Sequence, residues 1–151
     1  MPEFQANAEQ LSEQTATKSS LNDLRNEHAE FAAWASGFGV IKHSLETQER
    51  VIKTLKDNGI ELDYALPLLK AADLICSQAM WLVVHMTYAE NIKLSGEPLS
   101  ASDFKQSPQG HTGGSLNMVP AYVGFLTANA LTGENRDWLM GQGHCVAAID
   151  A

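Results

Sequence analysis

Two short stretches place histidine beside glycine where the chain is handed into a helix. They are Gly110-His111-Thr112-Gly113-Gly114-Ser115 and Gly141-Gln142-Gly143-His144. Glycine lets backbone approach a ligand closely. Helix amino-termini present free N–H groups that suit phosphate oxygens. A neutral imidazole donates or accepts a hydrogen bond near neutral pH. Taken singly, each stretch also has a plain reading. A histidine next to glycine is more often a turn residue, and Thr112 to Ser115 also reads as a turn ahead of an N-cap. Gly141-Gln142-Gly143 lacks the third glycine and the downstream acid of a dinucleotide fingerprint.

The other polar candidates read as structural. His85 lies in an apolar helix and is expected as a hydrogen-bonded core histidine. His28 and His43 are expected at the surface or at caps. Cys145 follows His144, but sequence neighbours on a helix do not face each other, so core packing is expected for it. Trp34, Trp81 and Trp138 are expected in the core.

The elements that must position these residues follow from periodicity and breakers. Residues 1–20 are polar and read as a flexible lead-in. From Leu21 a helix carries Leu24, His28, Phe31 and Ala35 on one face, and Ser36-Gly37-Phe38-Gly39 breaks it. Ser44 is the expected N-cap of a second helix that Gly59 closes. Pro67 suits the first turn of a third helix, predicted to run to about Leu94 with Gly96 as its stop. At 1.5 Å per residue it would span about 40 Å. Residues 95–115, rich in glycine, proline and small polar residues, read as a long loop. A fourth helix is expected from about Asn117 to Thr132, ended by Gly133. Asp137 to Met140 reads as a short buried strand, and Val146 to Ile149 as the start of a helix. The expected organisation is a lead-in over 1–20, a helical region over 21–95 and an incomplete α/β domain over 96–151. A strand, a glycine turn and a helix start open a βα unit, so truncation within that unit is expected.

Composition narrows the function classes. The 151 residues carry ten Lys+Arg against eighteen Asp+Glu, a formal net charge of −8. That balance disfavours non-specific binding to nucleic acid or anionic lipid. Cys76 and Cys145 fit no metal spacing and are too few for a disulfide scaffold. The first twenty residues lack a signal-peptide pattern, and the most apolar run, Ala79 to Met86, is short for a membrane span. A cytoplasmic protein is expected.

Read together, the two glycine–histidine stretches resemble a known arrangement. Gly-His-x-Gly, an amphipathic helix, then a strand ending in Gly-x-Gly-His is similar to the start of the diphosphate-binding domain of transketolase-type thiamine-diphosphate enzymes. The 33-residue separation of the histidines resembles that of phosphoketolases. So does the approach through Pro98-Leu99 and Asp103-Phe104-Lys105, and so does Ala71-Ala72-Asp73-Leu74 upstream. The likeness covers about residues 66–151. Thr112 stands where phosphoketolases carry an aromatic residue, Gly114 and Ser115 replace a threonine pair, and Cys145-Val146 replace glycines. Gly114-Ser115-Leu116 is nearer the deoxyxylulose-phosphate synthase form.

The resemblance implies an α/β fold, here the helix-rich amino-terminal part of a thiamine-diphosphate-binding domain with the first strand of a parallel sheet, truncated. It implies His111 and His144 as catalytic residues lining the substrate channel, with Gly113, Ser115 and Gly143 near the cofactor diphosphate. Thiamine diphosphate and Mg²⁺ are the implied cofactors. No metal ligand is assigned within the chain, which lacks the Gly-Asp-Gly…Asn segment and the activating glutamate. The implied partners are a ketose phosphate and inorganic phosphate, with acetyl phosphate and an aldose phosphate as products, in a homodimer or larger homo-oligomer. The isolated chain is expected to be inactive and to expose apolar surface. His111 and His144 are expected on one side of the fold, on the order of 10 Å apart. A transketolase or deoxyxylulose-phosphate synthase relative and a non-catalytic helical interaction module stay open as alternatives.

Overall fold

The computed structural model describes residues 20–93, 95, 97–109, 112–141 and 143–151, with backbone alone at 144, 147 and 150. The described chain is predominantly helical: α1 over 20–27, α2 Ala29–Ala35, α3 Leu45–Asp57, α4 Leu62–Tyr88, α5 Thr112–Thr132 and α6 Ala147–Asp150. Short 3₁₀ turns occupy Ala101–Asp103 and Gly143–Cys145. Two compact units divide the chain within α4, one up to Asp73 and one from Leu74.

In the first unit the single helix expected from Leu21 is two. His28 is extended (φ −122°, ψ 101°) and stands as N-cap of α2, although its N–H still reaches the Leu24 carbonyl at 2.9 Å. Histidine is a weak helix former, and here it yields the backbone without losing the apolar face. Leu21, Phe31, Trp34 and Ala35 close on Leu66 of α4, with Val51, Ile52 and Leu69 packed around them. Gly37 makes the break after α2. Its φ is +74°, and a Cβ there would lie 2.2 Å from the Ile41 carbonyl oxygen. Ser44 caps α3 as expected, its hydroxyl accepting from the Thr47 N–H at 3.1 Å. The other end is a Schellman closure: Gly59, at φ +66°, bonds Lys56, and Ile60 reaches back to Leu55 at 2.9 Å.

α4 begins five residues before Pro67 and stops six before Leu94. Its end is set from a distance, because Lys105 donates through Nζ to the Met86 carbonyl at 2.8 Å and through its N–H to Tyr88 at 2.9 Å. Over its most apolar stretch α4 has a mean hydropathy of 1.3, with 28% of it buried. In length and composition it therefore matches a membrane span, as the core helices of soluble domains also can.

The loop expected over 95–115 carries structure in the second unit. Ala89 and Phe104 form an antiparallel bridge, and Asp103 closes a capping box on Ser100. α5 starts at Thr112, five residues ahead of the expected start, so Gly113, Gly114 and Ser115 lie in its first turn. Ser115, Val119 and Val123 form its buried stripe, and Gly133 ends it at φ +67°. The strand expected over 137–140 does not form, and no strand occurs among the described residues. A strand is made by its partner's ladder. Here the segment is held instead by side chains of α5: Asn129 donates to the Arg136 carbonyl at 3.0 Å, and Tyr122 and Phe125 pack on Trp138. Leu139, expected to be buried, is 96% exposed. The turn Gly143–Cys145 and α6 pack against α5, burying Cys145 and Ala148.

Candidate functional site

His111 lies outside the described residues. His144 is described by its backbone alone, within the Gly143–Cys145 turn. The geometry on view is that of the glycines and of α5. The N–H groups of a helix's first turn have no carbonyl one turn back, and in α5 that turn is Thr112 to Ser115. Nothing stands within 4 Å of where a Cβ on Gly113 would be, and the same is true of Gly143. Both glycines are exposed. Backbone that bare at a helix start suits close approach by an anionic group such as a diphosphate. Ser115 differs: it is 3% exposed, so its hydroxyl belongs to the packing of α5. The turn that carries Gly143 packs against the same helix, so both glycine motifs sit in one compact unit. Among the described residues, no three His, Cys, Asp or Glu side chains converge to hold a metal ion.

Near this helix start the second unit holds a groove with a cavity of about 380 Å³. Trp81, Val84, His85 and Tyr88 form one wall of it, spaced along a single face of α4, and Glu97 to Leu99 and Phe104 line it too. Trp81, expected in the core, is 39% exposed here. His85, expected as a core histidine, is only half-buried. Its ring stacks on Trp81 with centroids 3.5 Å apart, and its Nδ1 lies 2.8 Å from the Trp81 carbonyl oxygen. A carbonyl can only accept, so Nδ1 carries the proton and Nε2 of the neutral ring is an acceptor. Thr112 Oγ1 donates to the Tyr88 hydroxyl at 3.2 Å, tying the first residue of α5 to the groove wall.

Asp103 shapes the far side of this region. The Ser100 hydroxyl and backbone N–H, each 2.7 Å from its Oδ2, hold its carboxyl down to about 2, helped by Lys93. The bridge Ala89–Phe104 and the groove wall that Phe104 supplies depend on this capped turn.

The first unit contains a pair that the sequence did not announce. His43 Nε2 lies 2.7 Å from Asp73 Oδ2, both side chains 11% exposed, and the imidazole stacks on Trp34 at 4.5 Å. His43 is therefore held in the interior, not at the surface or at a cap. Gln48, also buried, donates to the His43 carbonyl at 2.9 Å and accepts from Arg25. Thirty residues separate His43 from Asp73, so no local pattern points to it. The hydrogen-bonded, ring-stacked arrangement fixes the connection between α2 and α3. His28, by contrast, stands at the α2 cap as expected, 4.0 Å from Asp63.

No family model, no curated protein and no solved structure matches this chain.

Proposed function

We propose that this chain is the amino-terminal part of a thiamine-diphosphate-dependent enzyme that cleaves ketose phosphates, of the phosphoketolase type. The observation that carries the reading is the first turn of α5. The glycine-rich motif after His111 forms a helix start whose backbone around Gly113 is open to a ligand. The Gly143 turn, equally bare, packs against the same helix.

In this reading Gly113 and Gly143 bring backbone against the cofactor diphosphate, and Ser115 supports that turn from inside. The cofactor supplies the electron sink for breaking the C–C bond beside a ketose carbonyl. His111 and His144 hold substrate hydroxyls, stabilise developing oxyanions and carry protons. Inorganic phosphate is the acceptor, and the two-carbon fragment loses its hydroxyl as water, giving acetyl phosphate, an aldose phosphate and water. The Mg²⁺ ligands and the glutamate that activates the cofactor come from sequence outside these residues. The assembled enzyme is a homodimer or larger oligomer of the cytoplasm. A transketolase or deoxyxylulose-phosphate synthase relative would use the same residues and differ in the acceptor.

Calorimetry with thiamine diphosphate and Mg²⁺ on the protein from the complete gene tests the reading. Tight binding is expected there and weak binding by the 151-residue chain. His111→Ala and His144→Ala should leave cofactor affinity in place and lower turnover by about 10²–10³-fold, the effect of one lost transition-state hydrogen bond. A complete protein that binds no cofactor would end the proposal. A non-catalytic helical module is the second reading, favoured by the exposed Leu74, Ile75, Trp81, Met86 and Tyr88 along α4. It predicts partner-dependent solubility and no cofactor affinity.

A further inference from the structure

We infer that the groove between α4 and the 97–104 segment binds the polyol end of the ketose phosphate, an inference that rests on the function proposed above. Its walls offer the complement of a sugar. Trp81, Tyr88 and Phe104 are exposed aromatic residues, 39%, 39% and 47% respectively, and their rings can meet the C–H bonds of a carbohydrate. His85 Nε2 is an acceptor because Nδ1 is committed to the Trp81 carbonyl. Glu97 supplies acceptor oxygens. Tyr88, which accepts from Thr112, keeps its own proton to donate. Among the described residues no lysine or arginine lines the cavity, so the phosphate of the substrate is placed outside it. A neutral polyol needs such acceptors and a donor; an anion does not.

Position completes the argument. The Thr112–Tyr88 hydrogen bond ties the groove wall to the first turn of α5, whose free N–H groups favour negative charge. The cavity of about 380 Å³ lies in the usual range for small-molecule sites, roughly 300–1,000 Å³. Hydroxyls would then be read by the groove while the charged end of the sugar lies outside it. His85, Tyr88 and Glu97 become specificity-determining residues for substrate hydroxyls, a role separate from that of His111 and His144.

The test titrates the 151-residue chain with fructose 6-phosphate, fructose, inorganic phosphate and tetramethylammonium, reading tryptophan emission and saturation-transfer NMR. Fructose 6-phosphate and fructose should both saturate, with dissociation constants on the order of millimolar. Tyr88→Phe, which removes one hydroxyl and no packing, and His85→Ala should each weaken binding about five-fold, as for one lost hydrogen bond. Trp81→Ala should abolish the emission change. Inorganic phosphate equalling fructose 6-phosphate would overturn the inference in favour of a plain anion site. Tetramethylammonium binding more tightly than fructose would overturn it in favour of a cation groove. Sugar binding that Tyr88→Phe and His85→Ala leave untouched would also overturn it. The two proposals fail separately. A complete enzyme that turns over ketose phosphates with an unchanged KM in Trp81→Ala and His85→Ala would sink the groove and leave the function standing. Sugar binding here in a complete protein without cofactor affinity would do the reverse.

Discussion

Up to Asp73, the polar side chains that enter the interior are held. Gln48 bridges Arg25 to the Ala35 and His43 carbonyls, and His43 pairs with Asp73 under the Trp34 ring. From Leu74 onward the same care is missing in places. The Trp138 indole N–H is buried with no hydrogen-bond partner among the described residues, Leu139 is almost wholly exposed, and one face of α4 leaves Trp81 and Tyr88 open. Buried polar groups normally find partners, and exposed apolar surface normally finds a cover. The first unit thus reads as a stabilising scaffold. The second carries the loose ends a ligand or further protein would satisfy, and the glycine motifs lie in it.

The largest test of that contrast compares two tryptophans. Trp34, 2% exposed, touches Phe31 and His43 in the core of the first unit. Trp34→Ala should cost about 3–5 kcal/mol in denaturant melts, the usual loss for a buried aromatic. Trp81→Ala, on the groove, should cost below about 1 kcal/mol. Equal losses would erase the distinction between scaffold and site.

The His43–Asp73 pair sharpens it next. Asp73→Ala leaves a largely buried imidazole nitrogen without its carboxylate, for about 1–3 kcal/mol. A double-mutant cycle with His43→Ala should show coupling, because each partner's removal already breaks the bond. Additive losses would mean that the contact does nothing for stability.

Glycines separate the regions by sign. Gly37→Ala meets both a positive φ and the Ile41 carbonyl at 2.2 Å, so a loss of more than about 1 kcal/mol is expected. Gly113→Ala meets open space in a helical turn and should be neutral or stabilising by up to about 1 kcal/mol. Under the proposed function it should still weaken cofactor binding in the complete protein. Stability gained with affinity lost would mark Gly113 as kept for the ligand.

What the sequence made legible was local. The Ser44 cap, the Gly59 and Gly133 endings and the break at Gly37 each depend on a few neighbouring residues, and they stand where expected. What it hid was contact between distant residues. α4 stops at Tyr88 because Lys105, seventeen positions on, takes its carbonyls. Within the stretch expected as a loop, the turn at 100–103 forms because Asp103 reaches Ser100 and Lys93. Asp137 to Met140 has a strand's composition but no ladder, since pairing is a property of two segments and no strand lies beside it among the described residues. The candidate site divides the same way. The bare glycine at the head of α5 is visible in Gly113-Gly114 itself. The groove, whose walls come from α4, 97–99 and Phe104, has no signature in any one of them.

The smallest effect isolates the turn that supports the groove. Asp103 titrates at about 2 in the folded chain, against an ordinary 3.8, because Ser100 donates two hydrogen bonds to its carboxylate. A depressed folded-state pKa means the ionised form favours folding. Its contribution is therefore complete above 3.8, declines as pH falls through that window, and is lost below about 2. Glu90 and Asn91 donate their N–H groups to the Asp103 carbonyl, at 2.8 and 3.3 Å, so exchange of those amides reports the turn directly. Protection there should hold through mild acid and fail only as pH approaches 2. Asp103→Asn should lower protection at neutral pH and remove its acid dependence, leaving exchange in the first unit unchanged. Ser100→Ala should raise the carboxyl titration, followed by NMR, towards 3.8. An Asp103 that titrates at its ordinary value in the unmodified chain would mean the capping box is not what holds Phe104 in the groove wall.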